Sequence, residues 1–123
     1  MPGKVADASV VAALLYGEPE RLRAAEMLSG ADLFAPAHLP YEIGNICLKK
    51  IRKDPERRAF LVAGHRQFDD FGIQLLPVER GAVLALSERL GLTFYDAAYL
   101  WLAQDLGAEL VTFDKRLQAA AQA

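Results

Sequence analysis

The chain has 123 residues, of which 53% are hydrophobic and 24% are charged. This length and composition predict one globular domain, because a chain of this size buries about two thirds of its unfolded surface. A formal net charge of −2 argues against binding to nucleic acid through overall charge alone. An uninterrupted apolar run such as 97–103, which no other run exceeds in length, is far too short to cross a bilayer.

The sequence also indicates a compartment. No apolar segment follows the basic residue near the N-terminus, so no signal peptide is expected. Cys47 is the single cysteine, so the chain cannot form an internal disulfide, and a reducing cytoplasm is expected. His38 and His65 have neither the mutual spacing nor the neighbours of a zinc site. We interpret His38 as a helix-entry residue and His65 as a surface residue.

The periodicity of apolar residues, with Gly and Pro as breaks, predicts strands that alternate with helices. The predicted strands are 4–6, 32–36, 72–78 and 108–113. The predicted helices are 8–16, 19–28, 39–53, 55 to about 68, 79–90, 94–106 and 114–122. This alternation predicts an α/β fold with a short parallel sheet of about four strands, flanked by helices on both faces.

Four acidic residues stand at strand ends or helix starts, namely Asp7, Glu42, Asp96 and Asp114. Ligands of parallel sheets bind beyond the carboxyl ends of the strands, where the strand order reverses. Asp7 follows the first predicted strand and Asp114 follows the last. The two carboxylates therefore meet if those strands are neighbours. Glu42 and Asp96 lie in first helical turns, where a role as cap or dipole partner is the alternative.

A shared divalent cation is the simplest explanation for all four acids together. Two unit charges about 5 Å apart repel by roughly 3 kcal/mol at an effective dielectric constant near 20. Several such pairs would strain a domain whose net stability is about 5–15 kcal/mol. Oxygen ligands favour Mg²⁺ or Mn²⁺ over zinc. The sequence therefore predicts a magnesium or manganese site.

Polar residues near the acids are predicted to support them. Asn45 lies three residues after Glu42 on the same helix face and is predicted to orient Glu42 or a metal-bound water. Ser9 and Thr112 each lie two residues from an acid and can supply hydroxyl groups. Each of the three is, in the alternative interpretation, an ordinary helix or strand residue.

A basic segment at 49–58 holds six of the fourteen basic residues. Lys49, Arg52 and Lys53 are our candidates for contacts with the phosphates of a ligand. The alternative is a solvated helix end and turn.

Four sequence blocks occur in a fixed order along the chain: VADASV, YEIGN, TFYDAAYLWLA and LVTFDKRL. With these blocks the chain resembles PIN-domain proteins, specifically the VapC-type toxin ribonucleases of bacterial toxin–antitoxin pairs. The resemblance runs from Val5 to about Ala120. It implies a single PIN domain over 1–123 with three layers, α/β/α. Family members often add a short strand after the last helix, whereas this sequence ends at QAAAQA.

The resemblance implies that the metal is held by four acids, which are Asp7, Glu42, Asp96 and Asp114. Thr112 and Asn45 match supporting polar positions of the family. The implied activity is metal-assisted endonucleolytic hydrolysis of single-stranded or loop RNA, with a homodimeric protein silenced by a cognate antitoxin. We expect Asp7 and Asp96 to be the most direct ligands.

Two other functions compete with the nuclease. A phosphoacceptor signalling domain needs paired acids after the first strand and a central acceptor Asp, but only Asp7 follows that strand and QLLPVER (74–80) contains no Asp. A catalytically silent PIN-like binding domain is the second alternative, against which the intact set of four acids argues.

Overall fold

Four parallel strands and seven α-helices alternate along residues 3–122, which are the residues that the computed structural model describes. The strands are β1 (Gly3–Ala6), β2 (Asp32–Pro36), β3 (Gln74–Leu76) and β4 (Glu109–Val111). The helices are α1 (Ala8–Leu15), α2 (Arg21–Leu28), α3 (Leu39–Lys53), α4 (Arg58–Arg66), α5 (Arg80–Leu90), α6 (Phe94–Leu106) and α7 (Lys115–Gln122). Two 3₁₀ turns flank α4, at Pro55–Arg57 and Gln67–Phe71.

The strands form one sheet in the order β3-β2-β1-β4, with every pairing parallel. The predicted four-stranded parallel sheet and its α/β/α arrangement are confirmed. β1 lies between β2 and β4, and Ala6 is paired with Val111 of β4. The strand order therefore reverses beside β1, and the carboxyl ends of β1 and β4 share one edge. Parallel sheets bind ligands at such a point.

Helices cover both faces of the sheet because its strands carry apolar side chains. Val5 and Ala6 of β1 are fully buried. Helices α1 to α4 pack against one another around the larger core cluster, and α5 to α7 surround a second cluster. α6 contributes to both clusters, which explains why its sequence is apolar nearly all round. Within the described part of the chain, no helix combines the length and apolarity needed to span a membrane.

Helix boundaries agree best with the prediction where both ends carry clear signals. The predicted helices 39–53 and 94–106 coincide with α3 and α6. α6 begins at the cap Thr93, whose hydroxyl accepts from Asp96 N at 3.0 Å. It ends at Gly107, where φ is 63° and a residue without Cβ is favoured.

Two predicted helices differ from the structure. The predicted helix from 55 to about 68 is α4 between two 3₁₀ turns, and the second turn ends at Gly72 in the left-handed region. Pro19 lies in the turn before α2 rather than in its first turn. There the chain reverses after Gly17, whose φ is 63°. The predicted strand 72–78 is correspondingly shorter, because Gly72 is part of that turn.

Candidate active site

Asp7 connects β1 to α1 and is the buried centre of the candidate site, with 5% of its surface exposed. It is the N-cap of α1, and its Oδ1 accepts from the backbone N–H groups of Ser9 at 3.0 Å and Val10 at 3.3 Å. The Ser9 hydroxyl donates to the same oxygen at 2.6 Å. Burial nevertheless raises the pKa of Asp7, and these hydrogen bonds offset the shift in part. A buried carboxylate with this tendency attracts a cation.

Thr112 links the end of β4 to Asp7. Its hydroxyl donates to Asp7 Oδ2 and accepts from Asp114 N, the latter at 3.0 Å. Ser9 Oγ accepts from Phe113 N at 3.0 Å, so a second bridge joins the same two segments. The hydroxyls of Ser9 and Thr112 thus fix the ends of β1 and β4 relative to each other. Both residues lie where the sequence predicted supporting groups.

Asp114 directly precedes α7 and is exposed. Its Oδ1 accepts from Leu117 N at 3.0 Å, in the manner of an N-cap. The side-chain amide of Gln118, one turn into α7, donates to Thr112 O at 2.7 Å. Leu117 is fully buried in the core. These contacts hold Asp114 although few residues follow it in the chain.

Asp96 lies in the first turn of α6 and is half-buried. Desolvation raises its pKa, and the negative charges of Asp114 and Glu42 raise it further. The Thr93 hydroxyl and Arg116 act in the opposite direction. Asp96 therefore lies close enough to both Asp114 and Glu42 for their negative charges to act on it together.

Glu42, in the first turn of α3, is held by two aromatic residues. Its Oε1 accepts from the Tyr99 hydroxyl at 2.7 Å. His38 Nε2 lies 2.8 Å from the same oxygen, but the direction of approach does not give a hydrogen bond. Tyr99 therefore makes the hydrogen bond to Glu42 Oε1, and His38 Nε2 makes a short polar contact with the same oxygen. Burial, followed by the charges of Glu42, Asp7 and Asp96, raises the pKa of Tyr99, which keeps its proton available for this bond.

Sequence reasoning missed Tyr99, His38 and Arg116 as members of this neighbourhood. Tyr99 lies inside an apolar helix, so the sequence pattern predicts a core residue. Its hydrogen-bond partner Glu42 is 57 residues away in the sequence. The sequence signal for Arg116 was its position two residues after Asp114, on the first turn of α7. Its guanidinium donates to Gly91 O at 2.6 Å, which ties α7 to the turn before α6.

The four acids share one end of the sheet without forming a ready-made cage. Among residues 3–122, no three His, Cys, Asp or Glu side chains are grouped closely enough to hold a metal ion as they stand. Asp7 and Asp114 are joined through Thr112, and Asp96 responds to the charges of Asp114 and Glu42. The four predicted ligands are all carboxylates, and oxygen donors of this kind suit Mg²⁺ or Mn²⁺.

The remaining predicted residues lie along α3. Asn45 is exposed and lines a cleft next to Glu42. Lys49, Arg52 and Lys53 are exposed in the second half of the helix. At 1.5 Å per residue they lie about 10 to 17 Å from Glu42 along the helix axis. These cations are therefore remote from the acids and can contact only a ligand that extends along α3.

We expect Thr112→Val to lower the free energy of unfolding by about 1–3 kcal/mol, because it leaves Asp114 N–H without its acceptor and Asp7 Oδ2 without its donor. Urea unfolding followed by circular dichroism measures the change. Thr112→Ser, which keeps the hydroxyl, is the matched control and loses one methyl group, about 0.8 kcal/mol. A Val variant as stable as the Ser variant would show that the hydroxyl does not hold the site together.

Comparisons with known proteins agree with this architecture. The family model described as PIN domain matches residues 4–123. Ribonuclease VapC3 from Pyrobaculum aerophilum is 30% identical over 118 residues, which cover 92% of this chain and 90% of that protein. The crystal structure of PAE2754, also from Pyrobaculum aerophilum, superposes with a TM-score of 0.78 at 26% identity and covers 98% of this chain and 86% of that chain. The chain therefore belongs to the PIN-domain family.

Proposed function

We propose that the chain is a Mg²⁺- or Mn²⁺-dependent endoribonuclease that hydrolyses RNA phosphodiester bonds and acts as the toxin of a toxin–antitoxin pair. The observation that carries the proposal is the buried Asp7 carboxylate, bridged through Thr112 to Asp114 at the edge shared by β1 and β4. The kinship with Ribonuclease VapC3 supports the choice of RNA as substrate.

The acids fit a divalent cation by their chemistry and their electrostatics. All four offer carboxylate oxygens, which are the donors that hard cations prefer. The pKa values of Asp7 and Asp96 are raised, so both carboxylates gain when a positive charge arrives. A bound cation would supply charge stabilisation at the scissile phosphate and lower the pKa of an attacking water. We assign Asp7 and Asp96 as the direct ligands, and Asp114 and Glu42 as ligands directly or through water.

The protein's own groups have separate tasks in this proposal. Ser9 and Thr112 hold the Asp7 carboxylate at the end of β1. Tyr99 donates to Glu42 Oε1 and leaves the other oxygen, Oε2, for the site. Asn45 orients Glu42 or a water, and Lys49, Arg52 and Lys53 contact the RNA backbone farther along α3. A cognate antitoxin, a homodimer and a cytoplasmic location belong to the same proposal.

The proposal is tested by incubating the purified protein with single-stranded RNA, with Mg²⁺ or Mn²⁺ and with a chelator. We expect cleavage with either ion and none with the chelator. Thermal unfolding is measured in parallel. At a cation concentration of about 100 times Kd the ion should stabilise the fold by about 2.7 kcal/mol.

The two measurements separate the alternatives. Stabilisation by the ion without cleavage of RNA would favour the catalytically silent PIN-like binding domain. If the ion causes no stabilisation and no cleavage occurs, the proposed metal site is wrong.

A further inference from the structure

A cleft beside the candidate site is lined by two exposed tyrosines. We call it the tyrosine cleft, and its lining residues are His38, Tyr41, Glu42, Asn45 and Tyr95. Its volume is about 350 Å³. Ligand pockets in proteins span about 300–1,000 Å³. The tyrosine cleft is therefore large enough to hold a small ligand or one ring system of a larger ligand.

Both tyrosine rings are open to solvent at the protein surface. Tyr41 is 81% exposed and Tyr95 is 57% exposed. Each directly precedes a proposed ligand, Glu42 in the first turn of α3 and Asp96 in the first turn of α6. The same two helix starts thus present both the acids and the aromatic faces.

Packing against His38 holds Tyr95 in place. The His38 ring lies 5.0 Å from the Tyr95 ring and 5.0 Å from the Tyr99 ring, measured between centroids. The Tyr99 ring belongs to the buried core, and its hydroxyl is bound to Glu42. This chain of contacts supports Tyr95 from the core outwards. Little conformational freedom is then lost when a second ring stacks on it.

Charge explains why an RNA strand needs an uncharged contact here. The cleft includes Glu42, and Asp96 follows Tyr95, so phosphates alone are repelled unless a cation is present. The basic candidates on α3 begin about 10 Å from Glu42 along the helix axis. Base stacking on aromatic rings needs no charge, because every base has a π face.

We propose that the tyrosine cleft binds one unpaired nucleobase of the RNA, next to the phosphate that is cleaved, by stacking on Tyr41 and Tyr95. The inference rests on the proposed ribonuclease function and names the part of the substrate that the tyrosine cleft binds. Asn45 offers both a donor and an acceptor to the edge of that base. The substrate class is therefore RNA with an unstacked base at the cleavage site, because a base within a duplex cannot reach the rings.

The test is a double-mutant cycle between protein and RNA. The cleavage position in a short single-stranded RNA of mixed sequence is first mapped with the wild-type protein. This RNA is then compared with two versions, each of which carries one abasic ribose, either just before or just after that position. The protein variants are Tyr41→Leu and Tyr95→Leu, which keep apolar bulk but lose the π face. Tyr41→Phe and Tyr95→Phe keep the face and lose the hydroxyl. Phe60→Leu is the control, because Phe60 is 51% exposed but lies beside Gly17, beyond the far end of α1.

The Leu variants should lower kcat/KM on intact RNA roughly 5- to 150-fold, the range of one stacked base. Phe60→Leu should stay within about twofold of the wild type, and the Phe variants should recover most of the rate that the Leu variants lose, because they keep the π face. On one of the two abasic RNAs the wild type and the Leu variants should become equal. Equal cleavage of intact RNA by wild type and Leu variants would overturn the stacking inference alone. Failure of the wild type to cleave any RNA would overturn the proposed function, and the inference with it.

Discussion

Replacing Asp7 by Asn should reduce RNA cleavage by about 1,000-fold or more. Asp7 is the proposed ligand that lies deepest in the protein, and Asn offers the cation one neutral oxygen in place of a carboxylate. A bound cation contributes several kcal/mol of charge stabilisation to such reactions, and each 1.36 kcal/mol is about tenfold in rate. Single-turnover cleavage with Mn²⁺ measures the loss.

The same variant should be no less stable than the wild type when both are free of metal, because removal of the buried charge offsets the loss of an acceptor oxygen for Thr112. Burial raises the pKa of folded Asp7 above its ordinary value of 3.8. A group with a raised folded pKa stabilises the fold below its unfolded pKa, and this contribution is lost as the pH rises through the folded pKa. The contribution of Asp7 to the stability of the metal-free wild type should therefore fall as the pH rises above about 4. Asn does not ionise, so Asp7→Asn should not show this loss of stability as the pH rises.

The matched control is Asp105→Asn. Asp105 lies on α6 as Asp96 does, is exposed, and stands nine residues, about 14 Å, farther along the helix. Its rate should stay near that of the wild type. Normal cleavage by Asp7→Asn with Mn²⁺ present would remove Asp7 from the site. A large loss of metal-free stability at neutral pH would show instead that the buried charge is needed by the fold.

The sequence determines which strand ends are available to the candidate site, because these follow from chain order alone. Asp7 and Asp114 each follow a strand, and their meeting depended on β1 and β4 being neighbours. The structure pairs those strands. The adjacency of β1 and β4 is a long-range property that no local pattern encodes. The sequence could therefore predict the meeting of the two acids only on the condition that these strands pair.

The contacts of Glu42 illustrate what could not be predicted. Tyr99 reads as a core residue because α6 is apolar nearly all round, and 99% of its surface is in fact buried. Its function as a donor depends on one hydroxyl at the boundary of the core, which periodicity does not reveal. His38 is at the start of α3 as predicted, but its packing between Tyr95 and Tyr99 requires the first turns of α3 and α6 to lie against each other. Such cross-helix contacts follow from tertiary packing rather than from spacing.

Gly64→Ala should destabilise the protein by about 3 kcal/mol or more, a large part of the net stability of a domain this size. An added Cβ at Gly64 would lie 2.1 Å from Leu15 O, a backbone atom that cannot rotate away. α4 and the end of α1 are therefore in contact through a residue with no side chain. Urea unfolding measures the loss, and an Ala variant with the stability of the wild type would contradict this close approach.

Gly44→Ala is the matched control, because Gly44 is also inside a helix but has room for a methyl group. Its added Cβ would meet nothing nearer than His65 Nε2, at 3.8 Å. Ala should therefore stabilise α3 by about 0.5–1 kcal/mol through helix propensity alone. Opposite signs for the two glycines would show that packing, rather than backbone freedom, requires Gly64.

The Gly64 variant also tests how strain reaches the site. α1 begins at Asp7, whose N–H donates to Val111 O at 3.1 Å, and it ends beside Tyr16, whose hydroxyl donates to Ile43 O at 2.9 Å. Because α1 is held at both ends, the clash should displace α4 rather than α1. The folded fraction of Gly64→Ala should then cleave RNA at nearly the wild-type rate. A loss of rate beyond the loss of folded protein would show that α1 moves and takes Asp7 with it.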